Sequence, residues 1–231
     1  TRRLLKLGPV PTFVLAGDND YTDCPDSAAA FDLYSTYFNY FEDAWSHNLN
    51  ITRDIERPEL FAFELYGVVY VGVHLLNAKP EEGVALEEWN DKLEANIEWF
   101  SQNVDEHKDV LRGVVIFGHA LRSRDTLPFF EGIQSRFLRN PYNYRIPVLY
   151  LHGDGHKWEI DLRLSNDLMW GNIWNIQVDQ GAFADPCIVE VAEVIDGEMI
   201  PLVEEHPLQY IFGNGLFRID RQRGRNQEQT V

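Results

Sequence analysis

Residues 146–156, Ile146-Pro147-Val148-Leu149-Tyr150-Leu151-His152-Gly153-Asp154-Gly155-His156, hold the pattern on which the fold turns. The apolar run through Leu151 reads as a buried strand, and it passes without a spacer into a cluster of two glycines, an aspartate and two histidines. The same arrangement occurs twice upstream. Val114-Val115-Ile116-Phe117 is followed by Gly118-His119, and the β-rich run 10–16 by Gly17-Asp18-Asn19-Asp20. Strand ends in an α/β sheet open onto one crevice, so polar clusters far apart in sequence can converge there. The glycines suit that role, because a tight turn lets the next side chain point off the strand tip.

Working outward, Asp26-Ser27 offers an N-cap for a helix through about Trp45, with Phe31, Leu33, Tyr34, Tyr37, Phe38 and Phe41 on a core-facing stripe. Residues 61–65 and 68–75 read as a hairpin about Tyr66-Gly67. Trp89, Leu93, Ile97, Phe100 and Val104 mark a long helix with an acidic, solvated outer face. A further helix is expected over 127–138 and a strand at Ile173, Trp174, Ile176 and Val178. Residues 188–195 and 199–203 flank Asp196-Gly197, a hairpin-turn signal. Strands alternating with helices, then antiparallel strands, predict one mixed α/β domain over residues 1–217. A polar tail over 218–231, with Arg218, Arg221, Arg223 and Arg225, is expected to fray.

Composition narrows the function classes. The chain has 231 residues, 45% of them hydrophobic, with six Trp, which supports a sizeable core and excludes wholesale disorder, collagen-like repetition or a disulfide-dense scaffold. Acidic side chains number 37 against 20 basic ones, for a net charge of −17, so the bulk surface repels nucleic acid and anionic lipid. A phosphate-handling site in such a chain needs local positive charge, and bound metal cations are the ready source. The longest apolar run, 61–76, contains Glu64, Tyr66, Gly67, Gly72 and His74 and is too polar for a transmembrane segment. Cys24 and Cys187 permit one disulfide at most, and nothing in the sequence brings them together.

The three strand-end clusters offer Asp, Asn and His, a mixture of oxygen and imidazole donors that suits Mn, Fe or Zn better than Mg or Ca. Singly, each cluster is ordinary loop chemistry. Their joint placement after three separate strands carries the reading of a metal site. In order and spacing they resemble the later motifs of the calcineurin-like metallophosphoesterases, whose series runs Asp-x-His, Gly-Asp-x-x-Asp, Gly-Asn-His-Glu/Asp, a lone His after a strand, and Gly-His-x-His. Gly17-Asp18-Asn19-Asp20 is similar to a divergent third motif and Gly118-His119 to the fourth. Gly153-Asp154-Gly155-His156 is similar to the fifth with Asp in place of its first His.

The resemblance implies a mixed-sheet sandwich flanked by helices and hydrolysis of a small phosphorylated substrate. It also implies two divalent metal ions, Mn, Fe or Zn, roughly 3.5 to 4 Å apart, with in-line displacement of an alcohol. On this reading His119 and Asp154 hold one ion, His156 helps hold the other, and Asp18 or Asn19 bridges toward the pair. Aligned on Gly17, Asp18 takes the ligand place and Asn19 that of the family's general-acid His; aligned on the Asn, Asn19 is the ligand and Asp20 follows. Either way the general-acid His is missing. Asp154 adds negative charge where the family has a neutral ring, and His152 reads as a buried structural histidine. The first two motifs have no counterpart, since Asp105-Glu106-His107 fits Asp-x-His only at a helix end. The motif order places them upstream of Thr1. The expectation is therefore a domain lacking its first strands, with apolar surface uncovered and little activity in this piece alone. Compartment and oligomeric state stay open.

Rival readings are weaker. Residues 13–22 also resemble the haloacid-dehalogenase signature, an apolar strand followed by Asp-x-Asp-x-Thr, in which Asp18 is the nucleophile and Asp20 the acid/base with one Mg ion. That scheme leaves both histidine clusters unused. An EF-hand at Asp18 lacks its closing Glu. No Gly-x-Ser-x-Gly occurs, and Cys24 sits among acids that disfavour a thiolate. The non-enzymatic alternative is an acidic binding module on a decayed phosphoesterase fold.

Overall fold

Strands with apolar side chains on both faces demand cover on both faces, and that requirement organises the molecule. The computed structural model describes residues 2–77, 84–137, 145–181 and 185–221. Its first half runs α1 (Arg2–Leu5), α2 (Ser27–Phe38), β1 (Thr52–Arg53), β2 (Phe61–Leu65), β3 (Val68–Gly72), α3 (Val84–Glu106), β4 (Gly113–Phe117) and α4 (Leu127–Phe137). The second runs β5 (Val148–His152), β6 (Glu159–Asp161), α5 (Arg163–Leu168), β7 (Ile173–Gln177), β8 (Ile188–Val191), β9 (Val194–Ile195), β10 (Glu198–Met199), β11 (Gln209–Phe212) and β12 (Phe217–Asp220).

A seven-stranded mixed sheet has the order β1-β2-β3-β4-β5-β7-β6. Its middle strands β3, β4, β5 and β7 are parallel, and β1, β2 and β6 are antiparallel to their neighbours. Side chains alternate across each strand, so Val114 and Ile116 of β4 and Val148 and Tyr150 of β5 turn to one core, with Ile97 and Phe100 of α3 and Phe129, Phe130 and Ile133 of α4. Val115, Leu149 and Leu151 turn to a second core built with Phe212, Leu216, Phe217 and Ile219. These last residues belong to, or adjoin, a three-stranded antiparallel sheet of order β11-β12-β8. The molecule is thus α/β, with helices on one face of the large sheet and a small sheet on the other.

Several expectations hold locally. Asp26 caps α2, its Oδ1 accepting from the Ala29 N–H at 3.0 Å. The β2–β3 hairpin turns through Tyr66 (φ +54°) and Gly67 (φ +79°), the paired left-handed conformation of a tight hairpin turn. Asp196 and Gly197 do the same between β9 and β10.

Other expectations are corrected. The hairpin at Asp196 spans only two residues on each side; residues 188–191 pair with β12 instead, because the large sheet's second face needs a wider cover. The polar tail cannot begin at 218. Phe217 and Ile219 point into the second core, and Arg218 pairs with Glu190 at 2.7 Å, so the strand runs to Asp220. Arg221 is held by Asp179 at 2.8 Å, while Arg223 and Arg225 lie outside the described residues. The helix from Ser27 stops at Phe38, where Tyr40 turns left-handed and a short 3-10 turn, Phe41–Ala44, follows. Of that helix only Tyr34 is buried.

Residues 10–16 form no strand, since no described strand offers them a ladder. They are fastened by side chains instead: the Tyr34 hydroxyl donates to the Val14 carbonyl at 2.6 Å, and the Phe13 ring stacks on Phe61 and Phe63. Beside them an apolar trough of about 580 Å³, lined by Phe63, Tyr70 and Phe117 among others, leaves apolar surface open. Among the described residues no helix is long and apolar enough to cross a membrane, and Cys24 and Cys187 are both free thiols.

Candidate functional site

Three parallel strands deliver polar residues to one edge of the sheet. His119 follows β4, Asp154 follows β5, and Asn77 lies five residues beyond β3. The strand-end loops are laced together by the backbone: Gly118 N–H donates to the Leu151 carbonyl at 3.1 Å, Ala120 N–H to Leu75 at 3.0 Å and Asp154 N–H to His119 at 3.3 Å. The Tyr150 hydroxyl, which burial keeps protonated far beyond the usual range with the Asp154 charge adding to the effect, donates to the Ala120 carbonyl at 2.5 Å. That bond holds the turn carrying His119 against β5. Gly118 is required there, because a Cβ would come within 2.7 Å of the same hydroxyl.

The fourth contribution comes from the extended segment that precedes Asp18. It enters a 3-10 turn, Asp18–Asp20, closed by Asp20, whose carboxylate accepts from the Gly17 N–H at 3.3 Å. Gly17 lies flat against the His119 ring, and a Cβ at this position would stand 2.9 Å from its Cε1. The result is a cluster of Asp18, His119 and Asp154 whose ligand atoms all lie within 4.8 Å of one another. His119 Nε2 donates to Asp18 Oδ1 at 2.9 Å and stands 3.6 Å from Asp154 Oδ1. Asp18 Oδ1 also accepts from the Asn19 N–H at 2.8 Å.

Sequence-derived candidates are therefore divided. Asp18, His119 and Asp154 meet; Asn19 and His156 do not join them. The Asn19 side chain is exposed, since its turn spends the backbone N–H on Asp18 and faces the amide outward. His156 is exposed on a left-handed residue (φ +59°) whose N–H closes a turn on Gly153 at 3.2 Å. His152 is buried against the Tyr150 ring at 5.2 Å. Burial pushes its imidazole down to about 4; Asn175 pulls the other way, and the nearby His119 adds to the lowering. It is a neutral structural ring at neutral pH.

The dehalogenase-type arrangement is not present. The strand it needs before Asp18 does not form, Asp20 is turned back onto Gly17, and Asp18 faces a histidine that scheme does not use.

Asn77 is the functional candidate that sequence reading passed over. Its Nδ2 donates to Asp154 Oδ2, while its Oδ1 is buried with no partner among the described residues. The signal was available, since Asn77 follows an apolar strand as the other clusters do, but no glycine or histidine draws attention to it. Lys92 is a second case. It lies far from every cluster in sequence, yet its Nζ donates to the Tyr21 hydroxyl at 2.6 Å, three residues beyond Asp18. No family model, no curated protein and no solved structure matches the chain.

Proposed function

We propose that the chain is a metal-dependent phosphoester hydrolase of dinuclear type and supplies one of the two cation positions through Asp18, His119 and Asp154. The observation that carries this reading is the convergence of those three residues, from clusters as distant as positions 18 and 154, at one sheet edge. Two carboxylates around one imidazole form a donor set suited to a first-row divalent cation such as Mn, Fe or Zn. The Oδ1 of Asn77 beside Asp154, unpartnered among the described residues, is a further oxygen donor. A bound divalent cation supplies polarisation of a phosphoryl oxygen and a water acidic enough to ionise near neutral pH.

The chain's own residues do the rest. Asp18 orients the His119 ring through the contact with its Nε2. Asn77 orients Asp154 by its amide donor. No histidine stands at the Asn19 position, and an amide cannot protonate a departing alkoxide. The arrangement therefore favours esters whose alcohol leaves as a stable anion.

Calorimetric titration of the chain with Mn tests the cation position. Binding that His119→Ala and Asp154→Asn abolish, and that His156→Ala leaves within about twofold, supports it. Absence of Mn, Fe and Zn binding, or equal binding by His119→Ala, refutes it and leaves the acidic binding module. Mn-stimulated hydrolysis of p-nitrophenyl phosphate or its bis-ester should fall with the same two variants.

A further inference from the structure

Asn96 sits on α3 beside Ile97 and is 2% exposed, on the side of the helix that packs against the large sheet. A buried amide in that position must find partners for its oxygen and for both hydrogens. It finds all of them. Its Oδ1 accepts from the His74 N–H at 2.9 Å, and its Nδ2 donates to the His74 carbonyl at 3.0 Å and to the Lys92 carbonyl, one turn back, at 2.8 Å.

The two bonds to His74 are those that a neighbouring strand would make. Backbone groups of successive strand residues point alternately to the two sides. Val73 N–H donates to the Phe117 carbonyl of β4 at 2.9 Å and the Leu75 carbonyl accepts from Ala120 at 3.0 Å, so His74 turns its own N–H and carbonyl toward the β2 side. There the ladder has stopped. Its last pair is Phe61 with Gly72, and the chain before β2 turns away, Leu60 N–H closing on the Arg57 carbonyl at 2.9 Å. Asn96 stands in for the strand residue that this turn removes. The His74 ring is pinned as well, stacked on Phe31 at 5.0 Å and 3.5 Å from the Glu59 carboxylate. Asn77 lies three residues beyond this clasp, about 10 Å of extended chain, and its amide donates to Asp154.

We infer that Asn96 is a positioning residue of the candidate site: by holding the His74 backbone it sets how far the segment reaches and where the Asn77 amide meets Asp154. The benefit to a cation rests on the metal-hydrolase reading; the placement of Asn77 does not. A helix on one face of the sheet is thereby tied to the residues at its edge, through Asn96 to His74, Leu75 to Ala120 and Asn77 to Asp154. Without the Asn96 amide the His74 N–H and carbonyl are buried without partners, and they regain them only when the segment shifts toward water.

The test follows the Asn77 side-chain amide by proton–nitrogen NMR in the metal-free chain, with a chelator present, its signal assigned by its loss in Asn77→Ala. Asn96→Leu keeps the bulk and removes the hydrogen bonds to His74 and Lys92. In that variant the Asn77 amide should shift toward the position of a solvated amide and exchange with water about tenfold faster, the factor that one lost hydrogen bond allows. Asn96→Ser, too short to make both His74 bonds, gives the same readout in a milder form, and thermal unfolding shows which variants fold. Asn103→Leu is the control. It removes another buried α3 amide, bonded to the Trp99 carbonyl at 2.8 Å, and should lower stability with the Asn77 signal unmoved. With Mn added, Asn96→Leu and Asn77→Ala should each weaken binding about tenfold, and the double variant no more than either, because both act by one route. An unmoved Asn77 amide in a folded Asn96 variant overturns the proposal whatever Mn does, and so do additive losses of Mn affinity. A parent chain that binds no Mn while the Asn77 amide moves as expected upholds the positioning and refutes the cation reading alone.

Discussion

Replacing Gly17 by Ala probes the seat of His119 with a single methyl group. Gly17 has φ −102° and ψ 179°, extended backbone open to any residue, so alanine brings no conformational penalty of its own. The effect must come from contact. The added Cβ would stand 2.9 Å from His119 Cε1, 3.0 Å from Nδ1 and 3.3 Å from Cγ, against an optimum of about 3.5 to 4.0 Å between carbon atoms. The ring must retreat by roughly 0.5 to 1 Å, which exceeds the ~0.5 Å tolerance of a working ligand constellation. That movement disturbs the 2.9 Å contact with Asp18 and the 3.6 Å spacing to Asp154. Misplacing a ligand in this way costs about 10- to 100-fold in metal affinity, by analogy with the loss of orienting partners. Global stability should fall by only about 1 to 2 kcal/mol, the usual cost of modest overpacking. Mn affinity from calorimetry, urea unfolding and the His119 ring signals in NMR together report the outcome. A Gly17→Ala chain that binds Mn with parental affinity and shows an unmoved His119 ring refutes the reasoning, because the ring would then not depend on that close approach.

Three further outcomes follow from the packing. Phe217 is fully buried between the two sheets, and Phe217→Ala should cost about 3 to 5 kcal/mol in urea unfolding; less than about 1 kcal/mol contradicts the second core. Glu42 and Arg53 form a buried pair at 2.6 Å, so Glu42→Gln strands a guanidinium and should cost about 3 to 5 kcal/mol, which Arg53→Met in the same chain should largely recover. Burial pushes the Glu59 carboxyl up, but the facing His74 imidazole, 3.5 Å away, and the residue's own N–H outweigh it and hold the group below its ordinary value of 4.5. A depressed carboxyl pKa gives stability that is complete above the unfolded value and is lost as pH falls through the folded one. Glu59→Gln should therefore flatten the acid limb of a melting-temperature profile taken between about pH 3 and about pH 6.

Local chemistry carried a large part of the architecture. The runs at β3, β4 and β5 are apolar at nearly every position because each face of those strands is covered, and the stripe from Trp89 to Val104 repeats at helical spacing because one side of α3 packs on the sheet. Tyr66-Gly67 and Asp196-Gly197 announce their turns because few dipeptides tolerate two left-handed residues. Short strands gave no such signal. In β12 the alternation of Phe217 and Ile219 with Arg218 and Asp220 is only four residues long and sits in an arginine-rich context. Residues 10–16 show the converse, a β-rich run that finds no partner strand.

What the sequence determined by itself is which residues end strands and which donors they carry: Asp18, His119 and Asp154 are legible because turn and strand preferences act within a few residues. Tertiary structure alone decided that these three meet, that His156 and Asn19 stay outside, and that Asn77 stands beside Asp154. Convergence within 4.8 Å depends on strand order and register across separations of more than a hundred residues, and no local preference encodes a distance of that kind.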